Sequence, residues 1–373
     1  MGACGRIGFD ARDSGVAGTD ADTLPGSCRL DFAPGVALRG FASAYSVAVG
    51  KLDVDDVLDL VVTNRGTNTV SVMLGQGDET FLMATEYGTG AAPRYVAVGD
   101  VNGDTVQDLV VVNDNSNDVD VLLGRGDGTF SPRTSQATDS RPVFVALARL
   151  DSDSALDVVT ANFGSTTVSV LLGNGDGTLA PRVDYEVGAT PAGVVIGNFD
   201  GDLSLDLAVA NFGEASISLL RGNGDGTFGP QTQFPTDTNP LVIAADDLNG
   251  DDKQDLITPN FGSTTVSVLL GHGDGTFQPR VDFEVGAEPS GVAVEDLDGD
   301  RFMDFAVTSS FGDEVSVWLG SGDGSFSRAG VYPTGRRGFT VAAGDLSGDG
   351  IPDLVISNEI EGSVSILLGR CEP

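Results

Sequence analysis

An aspartate recurs at 59, 108, 157, 206, 255, 304 and 353, so that every step along the chain is 49 residues. Each closes an acidic string, written at 99 to 109 as Gly-Asp-Val-Asn-Gly-Asp-Thr-Val-Gln-Asp-Leu. A second string, Val-Ser-Val-Leu-Leu-Gly-x-Gly-Asp-Gly-Thr-Phe in its commonest form, keeps the same register. Its Gly-Asp falls at 77/78, 126/127, 175/176, 224/225, 273/274 and 322/323. A unit this short cannot cover its own apolar faces, so it must stack against copies of itself. Within each unit the apolar residues alternate, as in Val143, Val145 and Leu147 or Val168, Val170 and Leu172, which is the period of a strand. One copy holds four such runs, near 142–148, 157–161, 167–172 and 181–186, parted by Gly, Asp, Asn and Pro. Four strands in a repeat of about 40–50 residues is the arithmetic of a propeller blade. The expected fold is all-β, a seven-bladed β-propeller with four antiparallel strands per blade.

The ring also predicts how it closes. Seven periods are 343 residues, the span from 28 to 370, and two periods before Phe130 lies Phe32. Leu30 to Val36 therefore read as the outermost strand of the last blade, whose inner three strands come from 339 to 369. An N-terminal strand there pairs an edge that would otherwise stay open. We expect one domain over 27–373, preceded by a flexible leader, 1–26, rich in Gly, Ala and Asp and without the period. Of the three cysteines, Cys28 and Cys371 differ by 343 and share one repeat position at the seam. A disulfide is expected between them, with a chain-entropy benefit of roughly 5 kcal/mol; a pairing of Cys4 with Cys28 stays open. Either bridge implies an oxidising compartment.

Charge removes several partners. The net charge is -35, with 20 Lys and Arg against 55 Asp and Glu, so no basic stripe is available for nucleic acid or an anionic membrane. No apolar stretch reaches the ~18 residues of a membrane helix, and no intact signal peptide is read in the first 26 residues. The single histidine, His272, occupies the variable position of a Gly-x-Gly-Asp-Gly turn, as does Arg125 in Arg125-Gly126-Asp127. With one histidine and no cluster that breaks the repeat, a nucleophile and base pair has no candidate, and the expectation is a protein without catalytic activity.

The acidic strings carry chemistry. In Asp100-x-Asn102-x-Asp104-x-Val106-x-Asp108, oxygens at positions 1, 3, 5 and 9 and the carbonyl of position 7 can wrap a hard cation. Six or seven oxygens at flexible distances suit Ca2+ better than Mg2+. Four more loops are complete or nearly so: Asn198, Asp200, Asp202, Ser204, Asp206; Asp247, Asn249, Asp251, Lys253, Asp255; Asp296, Asp298, Asp300, Phe302, Asp304; and Asp345, Ser347, Asp349, Ile351, Asp353. In these, Ser204, Lys253, Phe302 and Ile351 supply the carbonyl. About five Ca2+ sites are expected. The first loop has Lys51 before Asp53, Asp55 and Asp59, and the third has Arg149 before Asp151, Asp153 and Asp157. A cation at position 1 would neutralise those carboxylates in place of a metal, so both loops are expected to be weak or unfilled.

The two strings together resemble the FG-GAP/VCBS repeat of integrin-alpha-type seven-bladed propellers, over essentially 28 to 371. The resemblance implies that each cation loop joins the innermost strand of a blade to the next one, on the lower face. Such repeats occur mostly in secreted or surface proteins, in adhesion receptors, some lectins and modules attached to enzymes. On the opposite face the Asn-Phe-Gly turns place Phe163, Phe212 and Phe261, with Phe311 in a fourth blade and Arg65, Asp114 and Ile360 in the remaining three. These phenylalanines either pack between blades or offer stacking surfaces to a ligand. The functional expectation is an extracellular or cell-surface, calcium-binding, monomeric propeller that serves adhesion or binds a protein or glycan at its upper-face loops. The alternatives are a carbohydrate-binding lectin and an accessory scaffold module of a secreted enzyme.

Overall fold

The computed structural model describes residues 29–372. They form seven four-stranded antiparallel sheets, six of them with their strands in simple sequential order. In the third blade the strands are Pro142–Ala148, Asp157–Asn162, Thr167–Leu171 and Val183–Glu186, from the innermost outward. The last sheet is completed by Arg29–Arg39, which pairs with Ser363–Glu372 in the register Phe32 to Gly369 and Leu30 to Cys371. The ring is therefore closed by hydrogen bonds between the two ends of the chain, as the repeat arithmetic predicts. The leader 1–26 and Cys28 lie outside the described residues, as does the side chain of Cys371, and with them the expected bridge.

Alternation explains the packing. The second strands are buried along their whole length, for example Asp157–Asn162 and Asp206–Asn211, because each sheet has a neighbouring blade on both faces. Val, Leu, Ile and Ala fill these interfaces, and one continuous apolar cluster runs from Tyr95 to Trp318 through several blades. The outer strands are exposed at every residue but the third, which is half-buried. No helix among the described residues is long and apolar enough to cross a membrane.

Up-and-down order within each sheet sorts the connections. The link from innermost to second strand and the link from third to outer strand emerge on one face. The turn from second to third strand and the link to the next blade emerge on the other. The cation loops thus share a face with the Gly-x-Gly-Asp-Gly turns, and the Asn-Phe-Gly turns lie opposite.

Candidate metal centres and the opposite face

Position 9 of every cation loop is an aspartate with no exposed surface: Asp59, Asp108, Asp157, Asp206, Asp255, Asp304 and Asp353. Each accepts two backbone amides. One comes from position 2 of its own loop and one from the first glycine of the outer turn in the same blade. The donors in blade two are Val101 and Gly124 at 2.9 and 2.8 Å, and in blade six Leu297 and Gly320, both at 2.8 Å. Burial pushes these carboxyls up, with the other carboxylates of the loop adding to the push against the two amide bonds. Asp108 and Asp206 reach about 6, and Asp255 and Asp304 about 7. The residue read from sequence as a metal ligand is also the clamp that ties the loop to the outer hairpin.

The rest of the loop is organised by its own side chains. In all seven loops the carboxylate at position 5 accepts the amide of position 7, as Asp104 does from Val106 at 2.9 Å and Asp300 from Phe302 at 2.8 Å. Position 1 curls the loop over itself: Asp100 accepts from Gly103 and Thr105, and Asp296 from Gly299 and Arg301, at 2.7 to 3.0 Å. That curl needs position 4 in the left-handed region. Gly103, Gly201, Gly250, Gly299 and Gly348 all take φ of 76 to 78°, where a side chain is costly. Position 4 is Val54 in the first loop and Ser152 in the third, neither with a positive φ. The missing glycine is a second mark of the two exceptional loops, and the sequence carries it in plain view.

The two cations at position 1 do not behave as the sequence reading has it. Lys51 Nζ reaches Asp56 at 3.0 Å, and Arg149 Nε donates to the Ser154 carbonyl at 3.0 Å. Both turn to position 6, and neither pairs with the carboxylates at positions 3, 5 or 9. They close the loop in place of the absent Asp. Two other cations do approach candidate ligands: Arg221, which the sequence reading missed, lies 3.7 Å from Asp200, and the ammonium of Lys253, read from sequence only for its carbonyl, lies 3.1 Å from Asp251. Among the described residues, the loops of blades two, six and seven carry no such neighbour.

Blade six gathers its acids most tightly. Asp296, Asp298 and Asp304 each present an oxygen, all within 4.8 Å of one another. Burial and mutual repulsion raise Asp296 and Asp298 above the ordinary carboxylate range. An all-oxygen set with this concentration of negative charge fits a hard divalent cation.

Neighbouring blades meet at the loops. Gly128 of the Arg125-Gly126-Asp127 turn donates to the Leu52 carbonyl of the preceding blade at 3.1 Å, as Gly226 does to Leu150 and Gly275 to Phe199. The Asp127 carboxylate is folded back onto the amide and hydroxyl of Thr129, at 3.0 and 2.6 Å, the arrangement repeated at Asp176, Asp225 and Asp274. The tripeptide is thus built into a repeated turn. His272, at the equivalent of Arg125, is exposed.

On the opposite face one backbone hydrogen bond recurs in all seven blades. The amides of Arg65, Asp114, Phe163, Phe212, Phe261, Ser310 and Glu359 donate to the carbonyls of Ser43, Ala92, Arg141, Thr190, Asn239, Glu288 and Arg337, at 2.9 to 3.2 Å. This register corrects the sequence reading in two blades. Ser310, not Phe311, is equivalent to Phe163, and Glu359, not Ile360, stands in blade seven. The segment Ser309-Ser310-Phe311-Gly312 moves its aromatic by one position, which leaves Phe311 73% exposed. Phe163, Phe212 and Phe261 are half-buried and touch one another across the blades, with ring centroids 5.5 and 6.3 Å apart. With sevenfold geometry that spacing puts the rings on a circle of roughly 7 Å radius about the axis. They form an arc around the axial mouth.

Six overlapping segments, 51–111, 100–160, 149–209, 198–258, 247–307 and 296–356, match the FG-GAP-like repeat family. The chain belongs to that family. Comparison with curated proteins by sequence finds no match. Among solved structures, BBS1N in complex with ARL6DN is similar with a TM-score of 0.63 and 14% identity, over 91% of this chain and 97% of that one. An Agrocybe aegerita lectin, described as recognising non-reducing terminal N-acetylglucosamine, gives a TM-score of 0.58 and 20% identity over 85% and 86%. Virginiamycin B lyase from Staphylococcus aureus gives 0.61 and 13% over 91% and 99%. At these identities the likeness is one of fold, and a fold shared by a complex partner, a lectin and a lyase does not fix what this chain binds.

Proposed function

We propose that this protein is a calcium-binding, non-catalytic propeller that acts outside the cytoplasm and binds a protein or glycan on the face opposite its cation loops. The observation that carries the calcium reading is the convergence of Asp296, Asp298 and Asp304 within a loop that four other blades repeat with glycine at position 4. Asp296, Asp298, Asp300 and Asp304 would hold the ion in blade six. Asp100, Asn102, Asp104 and Asp108 would do so in blade two, and Asp345, Ser347, Asp349 and Asp353 in blade seven. The loops of blades four and five are expected to bind more weakly, because Arg221 and Lys253 already offset part of their charge. The ion supplies charge neutralisation and a crosslink within the loop, and through the adjoining turn it stiffens the seam between blades.

Extracellular location is supported by the calcium reading itself, since weak loops of this kind fill only where the ion is plentiful. The non-catalytic reading rests on the repeat, which supplies no base beside a nucleophile. For the ligand, the half-buried aromatic arc favours a stacking partner, and the likeness to a lectin supports testing glycans first. The test is thermal unfolding of the full chain with calcium and with EDTA, together with calcium stoichiometry by calorimetry. We expect about three ions, in the loops of blades two, six and seven, and up to five in all, with a melting temperature lowered by chelation. An unchanged melting temperature in EDTA overturns the calcium reading.

A further inference from the structure

The axial mouth on the face opposite the cation loops has uniform backbone and very uneven side chains. At the carbonyl side of its sevenfold hydrogen bond, Ser43, Ala92, Arg141, Thr190, Asn239, Glu288 and Arg337 all sit at φ of 51 to 63°. Glycine would relieve that strain. The chain has 52 glycines, yet all seven positions carry a side chain. In the blades with Thr190 and Asn239 the neighbouring register holds Phe212 and Phe261. In blades one to three, arginines gather around the Asp114 of that register.

There three guanidinium groups converge on one carboxylate. Arg94 and Arg141 donate through Nε to Asp114 at 3.0 and 2.9 Å, and Arg65 Nη2 lies at 3.6 Å. Asp114 is 1% exposed; burial pushes its carboxyl up, but Arg141 and Arg94 hold it below the ordinary range. Arg94 also donates to the Tyr45 hydroxyl and stacks over that ring at 4.5 Å. Across the seam, Arg337 pairs with Glu359 at 3.2 Å. At Asp114 three arginines thus meet one acid, in a chain whose total charge is -35. The Nε of Arg65 is buried and has no hydrogen-bond partner, while the Arg65 and Arg141 side chains remain 36% and 46% exposed. The cluster is reachable, and its donors outnumber its acceptors.

The same arginine joins this cluster to the aromatic arc. Arg141 lies over the Phe163 ring at 5.3 Å, and Phe163 leads on to Phe212 and Phe261. Resting on the reading of this face as the ligand face, we infer that the axial mouth is a binding site for a small organic carboxylate attached to a ring with an apolar face. The carboxylate would take the free donors of Arg65 and Arg141, a charge-assisted and planar match. The ring would lie against Phe163 and its neighbours. Sugar acids and aromatic acids share this chemistry.

Calorimetry on the calcium-loaded full chain separates them, with glucuronate and phenylacetate as probes and glucose and acetate as controls, at up to ~10 mM for affinities in the millimolar range. We expect saturable binding of one or both ring acids, at least tenfold tighter than acetate and with no signal for glucose. R65A, R141A and F163A should each weaken it roughly tenfold while leaving calcium stoichiometry unchanged, which shows the variants to be folded. D114N, which frees donors, should tighten binding; a purely structural cluster would not do so. No binding of either ring acid overturns the inference, as does acetate binding as tightly as they do, or a short acidic peptide binding where the ring acids fail. Failure of calcium to bind, with ring acids still bound, would strike the calcium reading and leave this site standing.

Discussion

The two faces of this propeller use the repeat in opposite ways. On the cation-loop face the side chains repeat along with the backbone: seven buried aspartates each clamp two amides. On the far face one backbone bond repeats seven times, but the side chains around it separate into an arginine cluster and a phenylalanine arc. Repetition of side chains marks what every blade needs in order to stand. Divergence on a fixed backbone marks a surface released from that need, and that surface is where a ligand can be selected.

The clamp gives the most severe test of the first half of that contrast. Replacing Asp304 by Ala removes the acceptor of two buried amides, those of Leu297 and Gly320. Leaving both unpaired should cost about 2–5 kcal/mol, read as a large drop in melting temperature even in EDTA. If D304A lowers stability only when calcium is present, the aspartate is a ligand and not a clamp. On the far face, F212A should cost less than D304A, because Phe212 is only half-buried; equal losses would erase the distinction between the faces.

Acidity offers a second lever on the loops. Burial places the folded clamp carboxyls at about 6 to 7, from an ordinary 3.8. A raised value means that the folded state holds its proton more firmly than the unfolded one. Their contribution is full below about pH 4 and is lost as pH rises through 6 to 7. The calcium-free chain should therefore melt several degrees higher near pH 5 than near pH 8. If the loops hold calcium as proposed, the ion should reverse the trend, because it would bind their deprotonated form. Parallel pH profiles with and without the ion would contradict this.

Much of this architecture can be read before any coordinates. The 49-residue spacing of identical turns dictates the blade, and the strands in blade three fall within two residues of where alternation puts them. Closure through Phe32 follows from the same arithmetic. The failures are local and have physical causes. Phe311 looks equivalent to Phe261 because both precede glycine, but hydrogen-bond register, not the neighbouring residue, decides which side chain faces the axis. Lys51 and Arg149 look like internal counter-ions because they replace an acid, but a long side chain extends to the partner its loop exposes. Arg221 is distant in sequence from Asp200, so nothing in the loop itself announces their approach. The convergence of Arg65, Arg94 and Arg141 has the same character, since its members come from three repeats.

Blade one can be converted to test whether position 1 and position 4 together make a metal loop. The double variant K51D with V54G supplies both the missing acid and the residue able to adopt a positive φ. It should add one calcium per chain by calorimetry, whereas K51D alone should add none, because Val54 resists the left-handed conformation by about 1 kcal/mol or more. Equal gain in both variants would make the glycine incidental.

The smallest effect belongs to Arg125. It sits at the variable position of a turn that is otherwise the same from blade to blade, and what holds the turn is Asp127 on Thr129 and Gly128 on Leu52. The Arg125 side chain makes neither bond; its backbone amide, which donates to the Thr129 carbonyl at 2.9 Å, is kept in R125A. R125A should shift stability by less than ~0.5 kcal/mol and leave calcium stoichiometry unaltered. Arg125-Gly126-Asp127 spells the tripeptide that integrins recognise, yet R125A should leave attachment of integrin-bearing cells to the immobilised protein at the wild-type level, since the Asp127 carboxylate is already engaged within its own turn. Loss of attachment in R125A would move the ligand surface to the cation-loop face and break the contrast between the two faces.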